Sequence, residues 1–231
     1  MAEGSAGSAG TNSTEKNARD RLLEAGLDEF GRNGFDAATT RRIARRAGVN
    51  IGLIPYYFDG KQGLYRAVIE HVAGQIESYV AATLAEIRSC PAEKGLTQPE
   101  AVALLKQLMG KLIDFMVGSA QAPRFARIIL REQLYPSSAY DIIFSRVMEP
   151  VIQAIAGTVS AAVGKPVSEV IRLRALSFLG QILIFRVARE TVARLLGMQG
   201  YTQAETEQIR RIILEQTEAA IRGLCADEGK Q

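Results

Sequence analysis

"TTRRIARRAGVNIGLIPYYF" (residues 39–58) gathers four arginines on one short helix, beside a Gly-Val-Asn turn and ahead of a second apolar segment almost without charge. Thr40 can accept a backbone N–H at the start of the first helix. Ile43, Ala44 and Ala47 then face a core, while Arg41, Arg42, Arg45 and Arg46 point outward in i, i+4 pairs. Gly48 supplies the left-handed backbone of a tight helix–helix turn, and Val49 fills the angle between the helices. Asn50 can cap the helix that follows. The pattern predicts a helix-turn-helix, whose second helix enters a major groove while the first crosses the backbone of the duplex.

That geometry explains the charge. Arginine and lysine hold phosphates without reading sequence, so they suit the flanking helices, and the inserted helix needs little charge of its own. Ile51, Gly52 and Leu53 allow a close approach and apolar contact with thymine methyls. Tyr56 and Tyr57 reach toward phosphates, and Lys61 stands where a helix N-terminus already favours an anion. Residues 39–61 carry five basic side chains against one acid, Asp59, whereas the whole chain is only +3. Affinity for nucleic acid would therefore come from this patch and not from bulk charge.

Residues 15–65, through the stretch AGLDEFGRNGFDAATTRRIARRAGVNIGLIPYYFDGKQGLY (25–65), resemble the DNA-binding domain of TetR-family transcriptional regulators. The resemblance rests on the Phe-Gly pair, the double threonine, AGV, the aromatic-Phe ending and the lysine shortly after it. It implies that Thr40, Tyr57 and Lys61 hold phosphates and that Arg41 and the surface of 50–56 meet bases. Farther on, FARIILREQLYPSSAYDIIFSRVMEPV and RLRALSFLGQILIFRVARETVARLLG resemble the C-terminal domain of the CecR-like subgroup. Members of that subgroup are regulators connected with resistance to drugs and toxic compounds.

The rest of the chain reads as helix throughout, an all-α protein. Residues 1–14, rich in Gly, Ser and Ala, are expected to form a disordered arm. A helix-turn-helix domain is expected over 15–61, and a larger helical effector-binding and dimerisation domain over 62–231. Gly34 closes the first helix. Asp59 with Gln62, Thr97 with Glu100, and Thr202 with Glu205 have the spacing of capping boxes. Pro123 opens a helix, Pro150 predicts a kink within 140–163, Ser168 opens a helix to about Leu196, and the last helix ends near Gly223.

Cys90 and Cys225 match no metal spacing and His71 is the single histidine, so neither a metal nor another cofactor is expected. The most apolar run, 176–185, is too short to span a bilayer. A cytoplasmic protein with no membrane partner is the expectation.

Helix 168–196 has two apolar stripes. Leu176, Gly180, Leu183 and Val187 share one, and with Ile209, Ile213, Gln216 and Ala220 of the last helix they suit a two-fold homodimer interface. The other stripe faces a pocket. Met109, Met116, Phe144, Met148, Phe178 and Phe185 would line it, and Glu132 and Gln181 would orient a small-molecule effector. Glu132, on an apolar face, needs a partner such as Arg186 or Arg189, and Arg186 with Glu190 has i, i+4 spacing. His71 is expected to be exposed or linker-facing.

These features point to a dimeric repressor that binds double-stranded operator DNA and is released by a mostly apolar ligand. A ligand-independent DNA-binding adaptor or nucleoid-type protein is the alternative. A DNA-acting enzyme would need a nucleophile with clustered carboxylates or a metal set, and the sequence offers neither.

Overall fold

The computed structural model describes residues 8–89 and 96–226, with side chains from 17 to 225. Every regular element among the described residues is helical: α1 (Ser8–Ala37), α2 (Thr40–Ala47), α3 (Leu53–Phe58), α4 (Gly60–Ser89), α5 (Gln98–Ile113), α6 (Ala122–Leu134), α7 (Tyr140–Ile143), α8 (Glu149–Val163), α9 (Glu169–Val187), α10 (Arg189–Leu196) and α11 (Gln203–Ala226). Wide π turns occupy Asp114–Gly118 and Phe144–Met148.

The chain forms two compact units. One holds the chain up to Gly74 together with Arg124–Ile143; the other holds Gln75–Pro123 and the chain from Phe144. The division falls inside α4 and gives α6 and α7 to the helix-turn-helix unit, where the sequence suggested a boundary after 61. Of the arm expected over 1–14, residues 1–7 lie outside the described residues, as does Cys90. Residues 8–14 are the first turns of α1, since extending a helix costs far less than nucleating one.

In the first unit, Leu22, Leu23, Leu27 and Phe30 of α1 are buried with Ile43 and Ala44 of α2 and Ile54 and Phe58 of α3. Leu64, Val68 and Ile69 of α4 and Phe125 and Ile128 of α6 complete this core. Gly34 breaks the helical backbone of α1 with φ 78° and ψ 174°. A Cβ there would strike the Arg131 guanidinium. Thr39, not Thr40, caps α2: its Oγ1 accepts the Arg42 N–H at 3.3 Å, so Thr40 is the first helical residue. Asp59 and Gln62 form no capping box. Asp59 instead ends α3 in the left-handed region (φ 55°), its N–H donating to the Pro55 carbonyl.

In the second unit α5, α8, α9 and α11 pack around Leu105, Leu108, Met109, Ile155, Val159, Ala175, Ile182 and Ile213. Thr97 and Glu100 form the expected box, as do Thr202 and Glu205. The kink anticipated at Pro150 is the π turn just before it. Proline has no N–H to give the carbonyl of residue 146, and a wider turn accommodates the loss. By length and composition Tyr140–Val163 is the one helix among the described residues long and apolar enough to cross a membrane. Here its α8 portion supplies Val151, Ile155, Ala156 and Val159 to the core. Ser168 caps α9, which stops at Ala188, so the helix expected to run to Leu196 is two helices. The last helix continues past Gly223 to Ala226.

Candidate DNA-reading surface

The turn between α2 and α3 has the backbone that the sequence demanded. Gly48 is left-handed at φ 64°, donates to the Arg45 carbonyl, and is followed by a Val49 N–H bonded to Ala44 O. This pairing satisfies carbonyls that a helix end would otherwise leave bare. Asn50 Oδ1 accepts the Gly52 N–H at 2.8 Å, fixing the entry to α3. Ile54 and Phe58 are buried, which turns Ile51, Gly52 and Tyr56 outward and leaves Leu53 and Tyr57 half-buried. Tyr56 is 69% exposed and meets the Tyr57 ring edge-on. A face of small, apolar and aromatic groups is thus presented beside the arginines of α2.

Those four arginines are not equivalent. Arg41 and Arg45 are exposed, and neither is paired among the described residues. Arg42 is held by Glu29 at 2.6 Å and by the Ala37 carbonyl. Arg46 donates to Asp28 at 2.6 Å. Lys61 bonds the Asp36 carbonyl at 3.2 Å and lies over the Phe35 ring. Arg42 and Lys61, read as open phosphate contacts, therefore already have protein partners. The groups that claim Arg42, Arg46 and Lys61, namely Glu29, Asp28 and the Asp36 carbonyl, stand on α1, distant in sequence, where a reading of α2 alone would not find them.

Asp28 is the centre of that arrangement. Arg124 Nε of α6 donates to Asp28 Oδ1 at 2.7 Å, and Arg124 Nη1 reaches Glu24 at 2.7 Å. Burial pushes the Asp28 carboxyl up, but the hydrogen bond from Arg124 and the charges of Arg124, Arg46 and Arg32 outweigh it and hold the pKa below the ordinary value. Burial likewise works against the Arg124 charge, yet Asp28 and Glu24 raise its pKa. His71, expected to be exposed or linker-facing, is half-buried, with Nε2 3.5 Å from Glu24. A cleft of about 590 Å³ lies over this network, lined by Asp20, Arg21, Glu24, Asp28, Arg46 and Arg124 among others.

Glu132 is 2% exposed, and its partners are neither Arg186 nor Arg189. It accepts from Tyr65 Oη and from the Ser137 N–H and hydroxyl, all within the first unit. Burial and then Glu132 itself push the Tyr65 phenol well above its ordinary range. Glu132 is thus a satisfied structural acid whose partners come from its own unit. Arg186 does not pair with Glu190, which holds Arg194 instead. It is 8% exposed and donates to the carbonyls of Met116 (2.6 Å) and Val117 (3.2 Å) in the first π turn. Burial lowers its pKa.

Of the remaining pocket residues, Met109 and Phe178 are packed in the second unit's core. Met116 and Phe185 lie half-buried against that core, Met148 is half-buried, and Phe144 is exposed at 43%. Gln181 Oε1 is buried with no hydrogen-bond partner. The dimer stripe also divides. Leu176, Gly180 and Val187 of α9 and Gln216 and Ala220 of α11 are exposed, and Leu183 is half-buried. Ile209 and Ile213, expected to join them, are buried in the unit's own core because that face of α11 packs on α5 and α8. Ile212 points outward in their place, and Leu173 and Ile184 extend the α9 row.

Residues 22–68 match the family described as bacterial regulatory proteins, tetR family. Residues 101–224 match the HTH-type transcriptional dual regulator CecR, C-terminal domain. The chain is 29% identical over 212 residues to the HTH-type transcriptional dual regulator CecR of Shigella flexneri, covering 90% of this chain and 92% of that one. The regulator BetI of Cronobacter sakazakii is 32% identical over 120 residues, 48% of this chain and 57% of BetI. In fold, the chain is similar to the transcriptional regulator FadR of Bacillus subtilis, solved in complex with stearoyl-CoA. The TM-score is 0.54 at 17% identity, over 86% of this chain and 96% of FadR. The α2–turn–α3 head and the helical unit behind these matches place the chain in the TetR family of DNA-binding transcriptional regulators, with a C-terminal domain of the CecR type, and not among enzymes.

Proposed function

We propose that the protein is a homodimeric repressor that clamps two half-sites of a double-stranded operator and lets go when a mostly apolar effector binds its helical unit. The observation that carries this reading is the apolar row on α9: Leu173, Leu176, Ile184 and Val187 are each 46–56% exposed. They stand on one face with Gly180, and α11 offers Ile212 and Gln216 followed by Ala220 and Gly223, the last two small enough for a close helix approach. Four helices across a two-fold axis would cover both faces, and two copies would supply the paired reading heads that a short α3 needs. On DNA, Arg45, Thr40 and Tyr57 hold phosphates, and so does Arg41, which the resemblance assigns to bases but which stands exposed on α2 with Arg45, while Ile51, Gly52, Leu53 and Tyr56 meet base edges and Asn50 shapes the turn.

For the effector, Met116, Met148 and Phe185 supply adaptable apolar walls, and the unpartnered Gln181 Oε1 offers an acceptor for one ligand donor. FadR's complex with stearoyl-CoA suggests long acyl chains as the first compounds to try. The test begins with Ile184→Glu, which sets like charges across the axis: sedimentation should show monomers with weakened DNA binding and an unchanged melting temperature of the head. A dimer persisting at micromolar concentration would move the interface elsewhere. Titrating the DNA complex with stearoyl-CoA and free fatty acids should release it, and Gln181→Leu should blunt release alone. If wild-type dimers hold DNA against every such compound, the ligand-independent reading takes its place.

A further inference from the structure

Two acids of α1, Glu24 and Asp28, face the arginines of its neighbours. Glu24 and Asp28 are one helical turn apart, an i, i+4 like-charge pair that repels when left alone. Arg124 of α6 sits between them, at 2.7 Å from each, and also donates to the Glu24 carbonyl. The second oxygen of Asp28 takes Arg46 of α2 at 2.6 Å. Glu24 adds His71 of α4. One continuous chain of opposite charges thus joins α6, α1 and α2, with His71 of α4 beside it, and it ends on the helix that leads into the reading turn. The side chain of Asp28 is only 16% exposed and that of Arg124 22%, so solvent screens these pairs less than a surface bridge.

We propose that Asp28 is a positioning residue for DNA recognition: by holding Arg46 and Arg124 at once it fixes the seat of α2 on α1, and through Arg124 it makes that seat answer to α6. Arg46 accordingly acts on protein and not on phosphate, in contrast to Arg45 beside it. This rests on the DNA-reading assignment of α2 and α3. A rigid seat matters for sequence preference more than for general affinity, because base contacts demand an exact register whereas phosphate contacts tolerate small rotations.

Full-length protein would be used to select duplexes from a random pool, and binding to a selected and to an unselected duplex would then be measured across salt. If wild type selects nothing, the DNA-reading assignment itself fails. Given selection, Asp28→Asn should cut the preference for the selected duplex about five- to tenfold, as expected for one partly buried pair. Its salt slope on the unselected duplex should rise by about one unit, since Arg46 is released toward phosphate. Arg124→Gln, altered on a different helix from the reading turn, should lower the same preference. Arg46→Gln should do so with an unchanged slope, and Arg46→Lys should restore part of it. The proposal is overturned if Arg46→Gln weakens both duplexes equally and lowers the slope, which marks a phosphate contact. It is equally overturned if Asp28→Asn, shown folded by its melting curve, leaves preference intact. Should Asp28→Asn not fold, Arg46→Gln and Arg124→Gln decide the matter by the same two readouts.

Discussion

The helix-turn-helix unit and the helical unit are fastened by different means. In the first, directional contacts between charged or polar groups recur at the helix crossings: Arg124 and Arg46 on Asp28, Arg42 on the Ala37 carbonyl, Lys61 on the Asp36 carbonyl, and Tyr65 on Glu132. In the second, α5, α8, α9 and α11 meet chiefly over aliphatic faces; Lys106–Glu218 and Arg210–Asp114 bridge helices at the margin of that core, and Arg186 is a buried charge held by two main-chain carbonyls. The difference suits the two tasks. Apolar burial is non-directional and rewards area, which stabilises a bundle but leaves small rotations cheap. Hydrogen-bonded ion pairs contribute less stability but fix an angle, and a reading helix needs its angle fixed.

The largest effect should come from the apolar side. Leu108 of α5 is fully buried among aliphatic neighbours, so Leu108→Ala should cost about 2–5 kcal/mol through lost transfer energy and the cavity left behind. Denaturant unfolding followed by circular dichroism measures it directly. A loss under about 1 kcal/mol would mean that this unit is not held by tight packing, and the contrast with the first unit would collapse.

A smaller effect should separate the arginines of α2. Arg41→Ala and Arg45→Ala should each weaken binding to selected and random duplexes alike and lower the salt slope by about one unit, as loss of one phosphate contact does. Arg42→Ala should change the slope less, because Glu29 already claims its guanidinium, and should instead lower the melting temperature slightly. Equal slopes for all three variants would show that Glu29 surrenders Arg42 to DNA, and the division between charges that face the duplex and charges that face the protein would need redrawing.

What could be read from the sequence follows the same line. The turn at Gly48, the buried Ile43, Ala44 and Ala47, and the capping boxes at Thr97 and Thr202 depend on neighbours within five residues, and each appeared where expected. Thr39 displaced Thr40 as cap because two adjacent threonines offer the same hydroxyl and only the backbone decides between them. The partners of Arg42, Arg46, Glu132 and Arg186 lie between 5 and about 70 residues away, and no local pattern names them. α11 shows a third kind of failure. It is apolar on two faces, and periodicity does not say which one the chain itself covers; Ile209 and Ile213 went inward and Ile212 outward. One clue was available in the first unit: Glu24 and Asp28 share a face with Gly31 and Gly34, and the spacing of Arg124, Arg127 and Arg131 on α6 complements that row.

The smallest expected effect tests whether the Asp28 pairs contribute stability as well as geometry. Hydrogen bonding and charge from the arginines hold the folded-state pKa of Asp28 below its ordinary value, despite the opposing push of burial. A carboxyl with a depressed folded pKa stabilises the fold above its unfolded pKa, about 3.9, and that contribution disappears as pH falls through the folded value. Asp28→Asn should therefore be less stable than wild type at pH 6, and the gap should shrink on acidification below about pH 4. Glu100, Glu205 and Glu218, whose pKa values are also lowered, are present in both proteins and cancel from the difference. Urea midpoints measured from pH 6 down to about pH 2.5 would trace the gap. A gap that stays constant would mean that the asparagine acts through shape and not charge, and one that widens in acid would reverse the sign assigned to Asp28. Either result would leave the first unit held by packing much as the second is, and would weaken the case that its ion pairs set the angle of α2.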